Sequence, residues 1–161
     1  MPPRPSAGVL LYRRTPGVVP GIEVLAGHMG GPFWARRDER AWSIPKGEFA
    51  AGEEPLAVAL REFEEELGTP APDLSYAELG RFRYSSGKTV TVFAAEAPAF
   101  EVAELRSNTF ALEWPPRSGR IREFPELDRV AWLPLADARR LLVAGQVPAL
   151  EALERAIAGS R

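Results

Sequence analysis

Apolar positions along the chain follow two periods, and the changes between them divide it into elements. Residues 8–14 and 22–26 are short β-rich runs. The segment from Thr15-Pro16-Gly17 to Pro20-Gly21 between them is rich in turn formers, which predicts an opening hairpin. Over residues 55–67 the period lengthens: Leu56, Leu60, Phe63 and Leu67 recur at spacings that stack them on one face of a helix. Pro55 suits its first turn, and Gly68 followed by Pro70 stops it. Residues 78–84 and 89–95 return to strand around Ser85-Ser86-Gly87, a second hairpin. Residues 110–114 and 129–133 are further strand candidates, separated by a loop with Pro115-Pro116 and Ser118-Gly119. The tail is helical over residues 136–144 and 149–158, with a break near Gly145 and Pro148. Strands on both sides of one central helix, with helices at the end, predict an α/β layered domain with a mixed sheet. The pattern leaves strand order open.

Composition narrows the function classes. The 161 residues suit one domain, taken as residues 1–161, and 45% hydrophobic residues supply a sizeable core. Charged residues nearly cancel, for a formal net charge of -2, so there is no global basic field to hold nucleic acid or a membrane. A small polyanionic ligand remains open, through local cations or a metal. The absence of cysteine excludes disulfides, thiolate metal sites and thiol nucleophiles, and a single histidine, His28, excludes a multi-histidine metal site. The proline-rich start leads into an apolar run too short for a signal-peptide core, and no apolar stretch is long enough to span a bilayer. A soluble cytoplasmic protein, monomeric or homodimeric, is the expectation.

The central helix also carries acids. At about 100° per residue, Glu62, Glu65 and Glu66 fall within roughly a 100° arc, beside the apolar stripe and distinct from it. Glu64 adds a fourth acid, and all lie in the last turns, where the helix end is negative and spacings of three and four set like charges together. The helix alone is equally compatible with a plain solvated acidic face. Oxygen donors without thiol or imidazole select Mg²⁺ or Mn²⁺ over zinc, and magnesium is commonly shared between carboxylates, water and phosphate. Lys46 and the glycine-punctuated stretch from Gly47 to Glu53 lead into the helix and offer backbone groups and a cation to an anion or its metal.

From Gly47 to Thr69 the chain resembles the Nudix box: a glycine, five residues, Glu, seven residues, then Arg-Glu-apolar-any-Glu-Glu-any-Gly-apolar. Gly47, Glu53, Arg61, Glu62, Phe63, Glu65, Glu66 and Gly68 match. Thr69 departs, standing where an aliphatic residue is usual, which touches packing and leaves the chemistry intact. The resemblance implies the Nudix fold, an α/β/α sandwich with a central mixed β-sheet, and a hydrolase that cleaves a diphosphate linkage in a nucleotide-like substrate with Mg²⁺ or Mn²⁺. By it, Glu62, Glu65 and Glu66 are metal ligands with the Gly47 carbonyl, Glu53 contributes directly or through water, and Arg61 orients the carboxylates. One of these carboxylates, or one from a later loop, acts as general base on a metal-bound water. Glu66 and Glu65, with Arg61, are the catalytic candidates on the helix; Glu126, six residues before Trp132, is the first choice for a base from the later loop, with Glu123 second.

The substrate is read more coarsely. Pro45-Lys46-Gly47 resembles the entrance of Nudix enzymes acting on dinucleoside polyphosphates, inositol pyrophosphates and some oxidised nucleotides. Tyr84, sixteen residues after Gly68, resembles the tyrosine of dinucleoside polyphosphate hydrolases, and the lack of a proline there disfavours ADP-ribose. Arg36, Arg37 and Lys88 are candidates for further phosphates, and Trp34, Trp42 and Trp114 for stacking a base, with at least one expected in the core. His28, in what reads as a glycine-rich loop of residues 27–32, is assigned a structural role, with phosphate contact as the alternative. Residues 27–34 together with Trp42-Ser43-Ile44-Pro45-Lys46-Gly47 resemble small bacterial Nudix proteins described as predicted nucleotide pyrophosphohydrolases. The leading substrate is a nucleoside polyphosphate, with dinucleoside polyphosphates of the Ap4A type ahead. Oxidised nucleoside triphosphates of the 8-oxo-dGTP type are the alternative. A non-catalytic nucleotide-sensing module on the same scaffold is a third reading, disfavoured by the intact set Arg61, Glu62, Glu65 and Glu66.

Overall fold

Alternating burial along the first strand shows how the sheet acquires two faces. In the computed structural model, which describes residues 3–16 and 21–160, strand β1 (Ser6–Thr15) directs Leu10 to one core and Val9 and Leu11 to the other. A residue buried on either face needs a layer over each face. One layer is helix α1 (Pro55–Leu67), and the other is formed by α2 (Leu135–Leu141) and α3 (Val147–Gly159), which gives the expected α/β/α sandwich.

Strand β2 (Gly21–Met29) returns antiparallel to β1 as anticipated, and of the predicted turn over residues 15–21, residues 17–20 lie outside the described residues. The predicted second hairpin is β5 (Ala77–Arg83) and β6 (Thr89–Glu96). Strand β6 then runs parallel to β1, with Ser6 opposite Val90, so the sheet is mixed. Its path is β3 (Trp42–Ser43)-β2-β1-β6-β5, with β4 (Lys46–Glu48) on β1 and β9 (Leu127–Pro134) on β2.

Three short strands were not apparent in the sequence. Strands β3 (Trp42–Ser43) and β4 (Lys46–Glu48) are too short to show a period, and pairing with existing strands creates them. Gly47 therefore lies in a strand opposite Ala7, where a loop was expected. Strand β8 (Ile121–Pro125) pairs with β7 (Thr109–Glu113) in a separate two-stranded sheet, and exposed Ile121, Arg122 and Glu123 explain why no alternation marks it. The glycine-rich segment at residues 27–32 is likewise partly strand: Gly27, His28 and Met29 end β2.

The face of α1 is rotated from the one expected. Val58, Ala59, Phe63 and Leu67 are buried, whereas Leu56 and Leu60 are only partly covered. Seven residues on from Ala59 the helix has turned to within about 20° of it, so Glu66 lies on the packed side beside Phe63. Gly68 ends the helix in the left-handed region, φ 76°, with its N–H donating to the Glu64 carbonyl at 2.7 Å.

A buried glutamine links the sheet to the helical layer. Gln146, fully buried, accepts from the Ile44 N–H at 3.0 Å and donates to Ser43 Oγ and Tyr84 Oη, both at 2.9 Å. Gln146→Leu leaves the Ile44 N–H without an acceptor in a site closed to water. A loss of roughly 1–3 kcal/mol in unfolding free energy is expected, read from the shift in denaturant midpoint at unchanged slope.

Candidate active site

The site forms where α1 crosses β4. A side chain at Gly47 would collide with the Glu62 carboxyl group, so the absence of Cβ lets the helix carboxylates approach the β4 backbone. That backbone is the one whose carbonyl is the candidate metal ligand. Around it, Glu62 has a side-chain exposure of 18%, against 45% for Glu65, so the row of acids runs from the packed layer into solvent.

Burial dominates the electrostatics. It pushes the Glu66 carboxyl up to about 8; Lys46 opposes the rise through its ammonium and backbone N–H, while Glu62 and Glu126 add to it. Glu62 is raised as well, by burial first and by Glu65 next. Glu53 moves the other way: the Ala50 backbone N–H donates to it at 2.9 Å, and Arg61 adds a second interaction. Arg61 is the hub of this outer edge, with nitrogens 3.3 Å from Glu53, 3.9 Å from Glu62 and 3.8 Å from Glu65. One guanidinium thus spans three acids.

The donor set suits a hard divalent cation. Every candidate ligand is oxygen, and the charges facing each other lack a full complement of cations. Among the described residues no three acidic or histidine side chains form a ready-made cage. Magnesium needs none, since it keeps several waters and takes only one or two carboxylates with substrate phosphates.

Beside the carboxylates is a hollow of about 290 Å³ lined by Met29, Gly30, Trp34, Phe110 and Glu126. Glu126 therefore joins two regions: its charge acts on Glu62 and Glu66, and its residue borders the aromatic recess. Glu123 belongs to the β7–β8 hairpin, opposite Ala111, and does not line this recess. The sequence marks Phe110 as a strand residue only, since nothing in a strand alternation distinguishes a pocket wall from a core contact. A larger hollow of about 640 Å³ on the outer side of α1 takes in Arg61 and Glu65 but neither Glu62 nor Glu66.

The proposed stacking residues separate. Trp34 lines the recess, with the Arg37 guanidinium 5.1 Å from its ring centre. Trp42 is buried to 5% exposure, donates to Asp38 Oδ1 at 2.8 Å and packs edge-on against His28, which makes it a core residue and not a platform for a base. Trp114 sits on the hairpin, edge-on to Phe33 at 5.5 Å. Tyr84 is not brought to the carboxylates either. It packs on the opposite face of the sheet from α1, against Gly145 and Gln146, because the end of β5 is covered there by the turn into α3. Arg36 is exposed in the loop beyond Trp34. His28 is fully buried, with both ring nitrogens engaged by protein groups, so it is structural.

A family model described as "NUDIX domain" matches residues 2–153. An RNA pyrophosphohydrolase of Rhodospirillum rubrum is 42% identical over 73 residues, 43% of this chain and 41% of that protein. A nucleoside triphosphate pyrophosphatase/Nudix hydrolase fusion protein of Bifidobacterium longum is 28% identical over 141 residues, 86% of this chain and 25% of that protein. Both alignments thus span less than half of the curated relative. Among solved structures, an Ap4A hydrolase binary complex from C. elegans superposes with a TM-score of 0.67 at 22% identity, covering 97% of this chain and 98% of that one. The NUDIX domain of Shewanella oneidensis NrtR complexed with ADP ribose gives 0.64 at 15% identity, covering 96% and 88%. These likenesses show a shared fold. Among the described residues no helix is long and apolar enough to cross a membrane.

The raised Glu66 carboxyl has a consequence for stability without metal. Between its ordinary 4.5 and about 8 the folded chain keeps a proton that the unfolded chain has released. Stability therefore falls as pH rises through that window. Thermal melts in chelator from pH 5 to pH 8 are expected to show this decline, and Glu66→Gln is expected to flatten it.

Proposed function

As the chain belongs to the NUDIX family, we propose that it hydrolyses a diphosphate linkage in a nucleoside polyphosphate, with dinucleoside polyphosphates as the leading substrates. The observation that carries this reading is the position of Glu126 between the buried carboxylates of α1 and the Trp34/Phe110 recess. A nucleotide has the same two parts, a polyanionic chain and a flat base, and needs them recognised side by side. Trp34 and Phe110 offer π-faces that accept any nucleobase. Lys46, whose charge reaches both Glu62 and Glu66, is placed to receive a phosphate oxygen, and Arg36 is available to phosphates further out.

Glu62, Glu65 and Glu66 with the Gly47 carbonyl, and Glu53 directly or through water, would hold Mg²⁺ or Mn²⁺, which neutralises phosphate charge and makes water more acidic. Arg61 holds Glu53, Glu62 and Glu65 in mutual register. Glu126, and after it Glu123, are the candidates for accepting the proton of the attacking water; Glu126 is favoured because its charge already interacts with the cluster. The C. elegans structural neighbour described as an Ap4A hydrolase agrees with the leading substrate class but shares only the fold with this chain.

Two measurements test the reading. A panel of dinucleoside polyphosphates, ordinary and 8-oxo nucleoside triphosphates, ADP-ribose and 5′-triphosphorylated RNA is incubated with Mg²⁺ or Mn²⁺ and the products are separated by chromatography. Fastest turnover is expected on a dinucleoside polyphosphate, abolished by excess EDTA and restored by either ion; undiminished turnover in EDTA removes the metal mechanism. In the second, Glu66→Gln is expected to lose a factor of ~10² or more in turnover at saturating Mg²⁺. Its metal-free melting temperature at neutral pH should be equal or higher, since glutamine is buried neutral without the proton that the Glu66 carboxyl takes up on folding. Wild-type turnover in this variant would reject Glu66.

A further inference from the structure

The two walls of the nucleotide recess come from segments far apart in sequence. Trp34 sits on the loop between β2 and β3, and Glu126 immediately precedes β9. One fully buried side chain lies between them. His28 Nδ1 is 2.8 Å from Asp128 Oδ1, and Nε2 is 2.6 Å from the carbonyl oxygen of Arg37. Both partners are acceptors. The ring thus links the Asp128 carboxylate to the Arg37 backbone through its two nitrogens.

Each end of this bridge leads to a wall. Arg37 is the residue whose guanidinium lies 5.1 Å from the Trp34 ring centre, and its N–H donates to the Trp34 carbonyl at 3.0 Å. Fixing the Arg37 carbonyl therefore fixes the short turn that carries the aromatic wall. At the other end, β2 and β9 shift register: His28 faces Arg129 and Met29 faces Leu127, so Asp128 is the extra residue of a β-bulge. Bulges re-aim neighbouring side chains and need their extra residue held. Glu126, two residues away, is clamped on its backbone by the Gly30 N–H donating to its carbonyl and by its own N–H donating to the Asn108 carbonyl, both at 2.9 Å. Trp42 packs edge-on to the ring at 5.4 Å, and Arg129 Nε is 3.7 Å from Asp128 Oδ1.

We propose that His28 and Asp128 are positioning residues that couple the Trp34 loop to the Glu126 segment, so that one buried bridge sets the aromatic wall and the adjacent carboxylate of the recess in fixed relation. The catalytic part of this inference rests on the nucleotide-hydrolase reading; the mechanical part stands without it.

The test uses the full chain with Asp128→Ala, His28→Phe and His28→Gln. Amide hydrogen exchange reads the bridge directly. Asp128→Ala alters a partly exposed side chain that is not part of the loop, yet it is expected to speed exchange at least tenfold in residues 31–38 as well as 126–130, with α1 and β6 unchanged. His28→Phe should do the same, and His28→Gln, which keeps an N–H for one partner, should recover part of the protection. In kinetics on the best substrate of the panel, Asp128→Ala and His28→Phe should each raise KM fivefold or more, and the double variant should be no worse than the worse single, because both cut one unit. Unchanged exchange in residues 31–38 of Asp128→Ala, or equal acceleration throughout the chain, overturns the coupling. So do KM effects that multiply in the double variant. If His28→Phe does not fold, Asp128→Ala decides alone. Loss of the functional reading would show instead as an inactive wild type whose exchange coupling is intact.

Discussion

The structure around the site depends on carboxylates held against a backbone that has no side chain to keep them away. Glu62 fills the space that a Cβ of Gly47 would occupy, and Glu66 lies on the packed face of α1 instead of its solvent face. Desolvation alone would expel such groups or keep them protonated. They remain because α1 is fixed by what surrounds them: Ala59, Phe63 and Leu67 anchor the helix in its core, and Gly68 stops it one residue later. The acids thus have little freedom to relax away from one another. A divalent cation among them would reverse the sign of these interactions, which is the physical basis of the metal site proposed above.

Much of this was legible in the sequence because the relevant pattern is local. Helix α1 begins and ends where Pro55 and Gly68 place its limits, and Arg61 reaches Glu53, Glu62 and Glu65 from it. The sheet's main strands were visible from their alternation. What could not be read there depends on partners elsewhere in the chain. Strand β4 exists because Lys46, Gly47 and Glu48 meet β1, and β8 because it meets β7. The apolar stripe misjudged Leu56 and Leu60 because spacing defines a face of a helix without specifying which part of it meets the sheet.

Aromatic residues show the same limit. Trp34 and Trp42 have equal claims as stacking residues on composition, and only tertiary contacts separate them: one borders an open recess, the other is closed in by Asp38 and His28. Tyr84 had a positional argument in its favour, yet the sheet intervenes between it and α1, and Gln146 uses its hydroxyl for the core. Residue type indicates what a side chain is able to do. Which side of the sheet it falls on decides whether it has the opportunity.

The central position of β1 has a further consequence, for the order in which the chain acquires structure. Strand β1 pairs with β2, β4 and β6, and its parallel partner begins at Thr89. More than half of the chain is therefore synthesised before β1 is enclosed on both edges, and the antiparallel hairpin with β2 forms long before that. During that interval α1 has emerged with its apolar face and its acids, while the sheet that should receive it still lacks β6. On a helix so exposed, the like charges of Glu62, Glu65 and Glu66 oppose close approach of a second copy of the same helix.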